Sequence, residues 1–228
     1  MKLKRMSLTI NGVERFVVCD PDKDSLTTVI RRMGLTGTKM GCGTGVCGSC
    51  SVILNGKVIR SCNRKMKSIP EFSEVITIEG IGTPQNLHPL QQAWITYGGV
   101  QCGFCSPGFI VSAYGLLSEN LSPTREQVRD WFKKHQNICR CTGYKPLVDA
   151  VMAAAKVMRG EASIKDITYD FAAEKDIYGS RRPRPTALPK VTGLADYGDD
   201  IKLKMPEGTA HLAVVISEVH HANIISID

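Results

Sequence analysis

Gly41-Cys42-Gly43-Thr44-Gly45-Val46-Cys47-Gly48-Ser49-Cys50 crowds three thiols and four glycines into ten residues, and Cys62 follows after eleven more. Side-chain bulk is nearly absent, as expected of a loop that must wrap something. Cys-x4-Cys-x2-Cys with a later fourth cysteine is the plant-type spacing for a [2Fe-2S] cluster. Ferric iron, sulfide and four thiolates make an anionic core, so backbone N–H groups must turn inward, and Gly41, Gly43, Gly45 and Gly48 supply the φ/ψ freedom for that. Thr44 and Ser49 are small enough to leave the approach open. The same window holds Gly43-x-Gly45-x-x-Gly48, formally a dinucleotide-binding turn. Such a turn should follow a strand and open a helix, whereas here cysteines fall in and beside the match and a strand follows. A structural zinc site is the serious rival, because zinc also takes four thiolates. Zinc favours paired knuckles, however, and a four-residue gap among so many glycines suits a larger inorganic core.

Upstream of this loop, two apolar-rich runs, Met6–Ile10 and Val13–Val18, flank Asn11-Gly12, a strong hairpin signal. Asp24-Ser25 then offers N-cap oxygens to a helix with Leu26, Val29, Ile30 and Met33 at helical spacing, closed by Gly34. Strand–turn–strand–helix is the opening expected of a β-grasp domain. Downstream, Ser51–Leu54 and Lys57–Arg60 flank Asn55-Gly56 as a second hairpin, and Val75–Glu79 reads as a further strand. From about Leu87 the pattern turns helical: His88–Tyr97, a helix from Ser106-Pro107 with proline at its first turn, a third opened by Ser122-Pro123-Thr124, and a fourth opened by Pro146. Short connections make these a small bundle. Residues 161–190 carry no clear core pattern and read as an extended linker, stiffened by Arg182-Pro183-Arg184-Pro185. Alternation resumes over His211–Ile216, which predicts a strand. The expected fold class is therefore α+β: a β-grasp, plant-type ferredoxin domain over 1–80, a four-helix bundle over 81–160, a linker over 161–190 and a short strand-containing tail over 191–228.

The helical part carries a second group of thiols, Cys102-x2-Cys105 and Cys139-x-Cys141. A thioredoxin-type dithiol belongs in a βαβ context, and this pair sits between helices. Zinc is again open. Position favours an anionic cluster, since Cys105 directly precedes one helix and Cys141 lies just before another, so two helix N-termini would face one negative core. Arg140 and Lys145 would add positive charge.

Composition narrows the classes. The chain is 43% hydrophobic and 22% charged over 228 residues, an ordinary globular balance. No window approaches the roughly 18 apolar residues of a membrane span, and no apolar region follows the basic N-terminus as a secretory signal would require. Nine cysteines without such a signal predict a reducing, cytoplasmic setting where close spacings mean metal or redox work. The net charge of +7 is scattered, with no basic helix interleaved with aromatics, so neither nucleic acid nor membrane is the expected partner.

Taken together, the motifs resemble the iron–sulfur portion of the molybdenum hydroxylases, the family of xanthine dehydrogenase and aldehyde oxidoreductase. Gly41–Cys50 is similar to the first family signature. Gln101-Cys102-Gly103-Phe104-Cys105-Ser106-Pro107-Gly108-Phe109 and Cys139-Arg140-Cys141-Thr142-Gly143-Tyr144 are similar to the second. Arg184–Gly193 resembles the linker into the molybdenum-binding part, and His221-Ala222-Asn223-Ile224 with Ile227-Asp228 resembles that part's beginning. The absence of a flavin domain makes bacterial aldehyde oxidoreductases the nearest likeness. The resemblance implies that Cys42, Cys47, Cys50 and Cys62 hold an outlet [2Fe-2S] cluster. It implies that Cys102, Cys105, Cys139 and Cys141 hold an inner one near a molybdenum-pyranopterin cytosine dinucleotide, with Gln101 hydrogen-bonding that cofactor and Cys141 beside it. It further implies a molybdenum-binding subunit or C-terminal portion as partner, an acceptor such as a flavin subunit, flavodoxin or ferredoxin, and a higher-order oligomer. Substrate oxidation, of an aldehyde or an N-heterocycle with oxygen from water, belongs to the molybdenum portion. No catalytic acid or base is expected here. A free-standing ferredoxin-like carrier and a zinc-stabilised interaction module are the alternatives.

The other candidates read as structural. Cys19 is a buried spectator at a strand end. His88 and His135 are surface or capping residues, nothing completes a metal site at His220-His221, and Trp94 and Trp131 belong to the core.

Overall fold

Asn11 and Gly12 both take positive φ, 52° and 77°, the geometry whose twist lets a two-residue turn join antiparallel strands. Strand β1 (Lys4–Ile10) therefore folds back on β2 (Val13–Cys19), with Ile10 opposite Val13 and Lys4 opposite Cys19. Asn55 and Gly56 repeat the device, at 48° and 77°, between β3 (Ser51–Leu54) and β4 (Lys57–Arg60). The computed structural model describes residues 3–172, 178–180, 182–210, 212–217 and 219–226.

The two hairpins are joined by β5 (Glu74–Ile76), parallel to β1 and antiparallel to β3, giving one mixed sheet in the order β2-β1-β5-β3-β4. The last strand is shorter than the Val75–Glu79 expected, because Ile78–Gly80 turns into a 3-10 helix. Helix α1 (Leu26–Arg32) starts where Ser25 Oγ accepts the Thr28 N–H. Its Leu26, Val29 and Ile30 pack with Met6, Leu8, Ile10, Val52 and Val75 in one core. Strand alternation sends Ile53, beside Val52, to a second core formed with the helices. One strand thus serves two cores, which sets the sheet directly against the helical layer.

That layer consists of α2 (Pro89–Thr96), α3 (Ser106–Glu119), α4 (Arg125–Lys134) and α5 (Lys145–Met158). His88 and Thr124 close capping boxes at α2 and α4. Trp94, Phe109, Ile110, Val128, Phe132 and Val148 fill the shared interior, and a buried side chain of this size stabilises by about 1.5–3 kcal/mol. In the expected linker Ile164–Ile167 forms a 3-10 turn, and Ala187–Val191, which runs one residue past its end, forms α6, with Ile167, Ala187 and Val191 buried. A short α7 (Gly198–Ile201) follows.

The strand expected over His211–Ile216 is not found: residues 212–217 are exposed and have no regular structure, and His211 lies outside the described residues. A strand needs a neighbour for its N–H and C=O groups, and the five-stranded sheet offers this segment none. Arg181, Ile227 and Asp228 also lie outside the described residues. Among those described, no helix is long and apolar enough to cross a membrane.

Candidate metal centres

The Gly41–Cys50 loop runs between α1 and β3, and three of its glycines, Gly43, Gly45 and Gly48, take φ of 68°, 82° and 68°. Those left-handed steps, costly for other residues, turn successive amides toward sulfur. The N–H groups of Thr44 and Val46 donate to Cys42 Sγ at 3.4 and 3.3 Å, and the Cys62 N–H donates to Cys50 Sγ at 3.4 Å. Cys62 arrives from beyond the β3–β4 hairpin, on a 3-10 turn over Ser61–Asn63. Cys47 lies close enough to Cys42 to favour the Cys42 thiolate, and Cys50 close enough to Cys62 to disfavour the Cys62 thiolate.

The second group is built by helix ends. Cys105 is the N-cap of α3. Cys139 and Cys141 stand in the turn before α5, whose N-cap Tyr144 is held left-handed at φ 67°. That unusual backbone lets the Tyr144 hydroxyl oxygen accept the Cys139 N–H at 3.1 Å. Cys141 Sγ lies 3.6 Å from Cys102 Sγ, and Cys105 feels the charge of Cys139.

Within each group the thiols thus act on one another, and Cys102 and Cys141 bring their sulfurs together. Among the described residues, no three His, Cys, Asp or Glu side chains converge as a single metal ion would require. Two thiolates on one tetrahedral metal at a metal–sulfur distance of ~2.3 Å stand ~3.8 Å apart, close to the Cys102–Cys141 separation. Four thiols per group without a single point of convergence fit a two-iron core with two thiolates on each iron, and fit one tetrahedral zinc less well. Inward amides at Cys42 and Cys50 match the anionic charge of such a core.

The thiols are unequally poised. Burial alone would raise Cys42, but hydrogen bonds from Thr44, Val46 and Cys47 outweigh it and bring it to about 6. Cys62 is pushed up to about 12, by burial first and then by the charge on Cys50. Likewise burial raises Cys105, with Cys139 and Cys102 adding to it. For Cys139 burial is overcome by the Thr142 hydroxyl, at 3.2 Å from its sulfur, and by the N–H groups of Cys141 and Thr142. Each group thus pairs an acidic thiol with a reluctant one, so loading with metal would release protons.

The two groups are neighbours. The Ile138 N–H, next to Cys139, donates to the Cys47 carbonyl at 3.1 Å, and Asn137 Nδ2 donates to the Gly48 carbonyl at 3.2 Å. Gly108 of α3 sits against that same carbonyl, leaving no room for a Cβ.

Gln101 borders the second group. Its side-chain oxygen accepts from Arg184 and its carbonyl from Lys190 Nζ at 3.2 Å. Lys145 faces Asp149 at 2.7 Å, so its charge is already engaged there rather than left free for the sulfurs. Cys19 is wholly buried in the sheet core, 3.8 Å from Met6 Sδ and away from both groups. His88 Nδ1 accepts the Leu90 N–H as the cap of α2, and His135 ends α4 with its ring 4.5 Å from Trp131. His220 and His221 are exposed. An apolar cleft of 460 Å³ between Val46, Phe132, Ile138 and Tyr144 has no cysteine in its lining. Lys39, Tyr197 and Asp200 escaped the sequence reading. Their contacts span some 160 residues, and no local spacing marks them.

Comparison with known proteins gives a consistent picture. A family model described as "2Fe-2S iron-sulfur cluster binding domain" matches residues 8–74, and one described as "[2Fe-2S] binding domain" matches 77–152. The aldehyde oxidoreductase of Megalodesulfovibrio gigas is 57% identical over 97% of this chain, which covers 24% of that protein. The crystal structure of the aldehyde oxidoreductase from Desulfovibrio desulfuricans matches with a TM-score of 0.90 at 55% identity, over 95% of this chain and 24% of that one. A chain of quinoline 2-oxidoreductase from Pseudomonas putida matches over its entire length and 71% of this chain, at 38% identity and a TM-score of 0.65. This chain thus spans about a quarter of the aldehyde oxidoreductases it matches.

Proposed function

We propose a role that starts from kinship: this chain belongs to the iron–sulfur portion of the molybdenum hydroxylases, the family of aldehyde oxidoreductase and xanthine dehydrogenase. Its task in our reading is to carry electrons from substrate oxidation to an external acceptor. Cys42, Cys47, Cys50 and Cys62 would hold an outlet [2Fe-2S] cluster, and Cys102, Cys105, Cys139 and Cys141 an inner one. Bound there, the clusters supply one-electron carriage between a molybdenum-pyranopterin cytosine dinucleotide site on the remainder of the protein and the acceptor. The observation that carries this reading is the gathering of eight thiols into two adjoining groups of four, with backbone N–H groups aimed at the sulfurs.

The chain's own residues set the conditions. The Thr44, Val46 and Cys62 amides favour anionic sulfur in the outlet group. The start of α3 at Cys105 brings a helix N-terminus to the inner one. Gln101 keeps its side-chain nitrogen without a partner among the described residues, free to donate toward the pterin. We assign residues 1–80 to a β-grasp module, 81–160 to the helical module, 161–190 to the linker, and 191–228 to the start of the molybdenum-binding portion. The sheet order and the two family-model matches support the first two. The whole enzyme would oxidise an aldehyde, or hydroxylate an N-heterocycle, with oxygen from water. It would work in the cytoplasm with a flavin subunit, flavodoxin or ferredoxin as acceptor.

Electron paramagnetic resonance of the reduced protein tests the assignment. Cys62→Ser should abolish or alter one [2Fe-2S] signal and spare the other, and Cys105→Ser should do the reverse. Loss of both signals together, or of neither, contradicts it.

A further inference from the structure

Three charged side chains with no part in holding the clusters lie buried beside them. Lys39 and Asp200 are each 1% exposed and Arg31 5%. Lys39 Nζ donates to Asp200 at 2.6 Å and to the Ala195 carbonyl at 2.8 Å. Arg31 donates to Asp200 at 2.7 Å and to Asp199 at 2.9 Å. Asp200 also accepts the Tyr197 N–H at 2.8 Å. Residues 195–200 are thereby fastened to the loop that leads into Cys42. Buried ion pairs are poor stabilisers, and apolar replacements of the same volume are often as stable or more so. A network this complete points to placement of something rather than to stability.

What it places is Tyr197. The ring lies 4.9 Å from the Lys39 ammonium and edge-on to Phe104 at 5.2 Å. The Tyr197 hydroxyl donates to the Cys102 carbonyl at 2.8 Å. Next to it, Lys190 donates to the Gln101 carbonyl. Consecutive carbonyls of the inner loop are therefore each held by a side chain arriving from beyond α5. An O–H dipole aimed at the peptide of a ligating cysteine brings positive charge close to the cluster, and outer hydrogen bonds of this kind tune potentials.

We propose that Tyr197, fixed by the Lys39–Asp200 pair, is a positioning residue for the Gln101–Cys105 loop, and that its hydroxyl biases the inner cluster toward reduction relative to the outlet. The inference rests on the two-cluster reading above. Tyr197→Phe removes one oxygen and keeps the ring contacts. Redox titration of the cluster-loaded protein should show the inner signal reduced about fivefold less readily, the size of one lost hydrogen bond, or ~40 mV lower at ~59 mV per tenfold change. The outlet signal should hold its midpoint. Amide hydrogen exchange over 101–105 should quicken in the same variant. Asp200→Asn, which loosens both Lys39 and Tyr197, should shift the inner midpoint in the same direction. An unchanged inner midpoint with unchanged exchange, or an equal shift of both signals, overturns the proposal. A wild-type protein without two [2Fe-2S] signals refutes the cluster reading instead, and exchange over 101–105 then decides the positioning role alone.

Discussion

Gly108→Ala sets two physical rules against each other. Gly108 is the third residue of α3, and helix propensity alone predicts that alanine there would stabilise by up to about 1 kcal/mol. Packing predicts the opposite. A Cβ at this position would overlap the Gly48 carbonyl and stand 3.0 Å from both Cα and C of Ser49. These are backbone atoms that cannot rotate aside. The Gly48 carbonyl accepts from the Ser51 N–H at 3.2 Å, the Ser51 hydroxyl at 2.8 Å and Asn137 Nδ2 at 3.2 Å, so moving it strains the join between the cysteine groups. Overpacking costs about 1–3 kcal/mol, and one or two weakened hydrogen bonds add about 1 kcal/mol each. After the propensity gain, a net loss of about 2–3 kcal/mol is expected, or roughly 5–10 °C in Tm for a chain of this size. Thermal unfolding of the cluster-loaded protein by circular dichroism measures it. A Tm equal to or above that of the wild type would refute the close approach of α3 to the outlet loop.

Other consequences are as direct. Burial holds His88 down to about 4, below its unfolded value of ~6.5. The unfolded chain therefore binds the proton first, and His88's contribution is complete above pH ~6.5 and lost as pH falls toward 4, by up to about 3 kcal/mol. His88→Asn keeps an N-cap acceptor without a titrating ring, so the difference in stability between wild type and variant should change across that window; a difference constant from pH 7 to 4 would contradict this. Cys19→Ser should leave both cluster signals intact and lower stability by about 1 kcal/mol, the scale of a polar swap in the core; loss of either signal would make Cys19 a ligand. Removing the clusters with acid and chelator should lower Tm, because a ligand bound only by the native state stabilises it; identical melting of loaded and stripped protein would show that the thiols hold nothing that matters to the fold.

What was legible in the sequence was what is encoded locally. Asn11-Gly12 and Asn55-Gly56 specify their hairpins through φ values few other residues tolerate, and Ser25 specifies a helix start through one oxygen. The cysteine spacings marked the short loops Cys42–Cys50, Cys102–Cys105 and Cys139–Cys141 for the same reason, whereas only folding brings Cys62 to the first and joins the other two. Long-range pairing left no such trace. Lys39 sits unremarked among small residues, and only folding brings it to Asp200. Arg182–Pro185 looks like a stiff linker, yet Arg184 reaches Gln101 and α6 docks through Ala187 and Val191. Alternation over 211–216 suggested a strand, but alternation specifies only which side chains would share a face, and a strand forms where a neighbour accepts its hydrogen bonds.

If eight of the nine cysteines hold two two-iron clusters, metal content will show it. The most direct measurement is metal and sulfide analysis of the purified protein with spectra of its oxidised and reduced forms. About four irons and four inorganic sulfides per chain are expected, as two [2Fe-2S] cores require, with visible absorption and two distinct paramagnetic signals on reduction. A colourless protein carrying stoichiometric zinc and no sulfide would contradict the two-cluster reading.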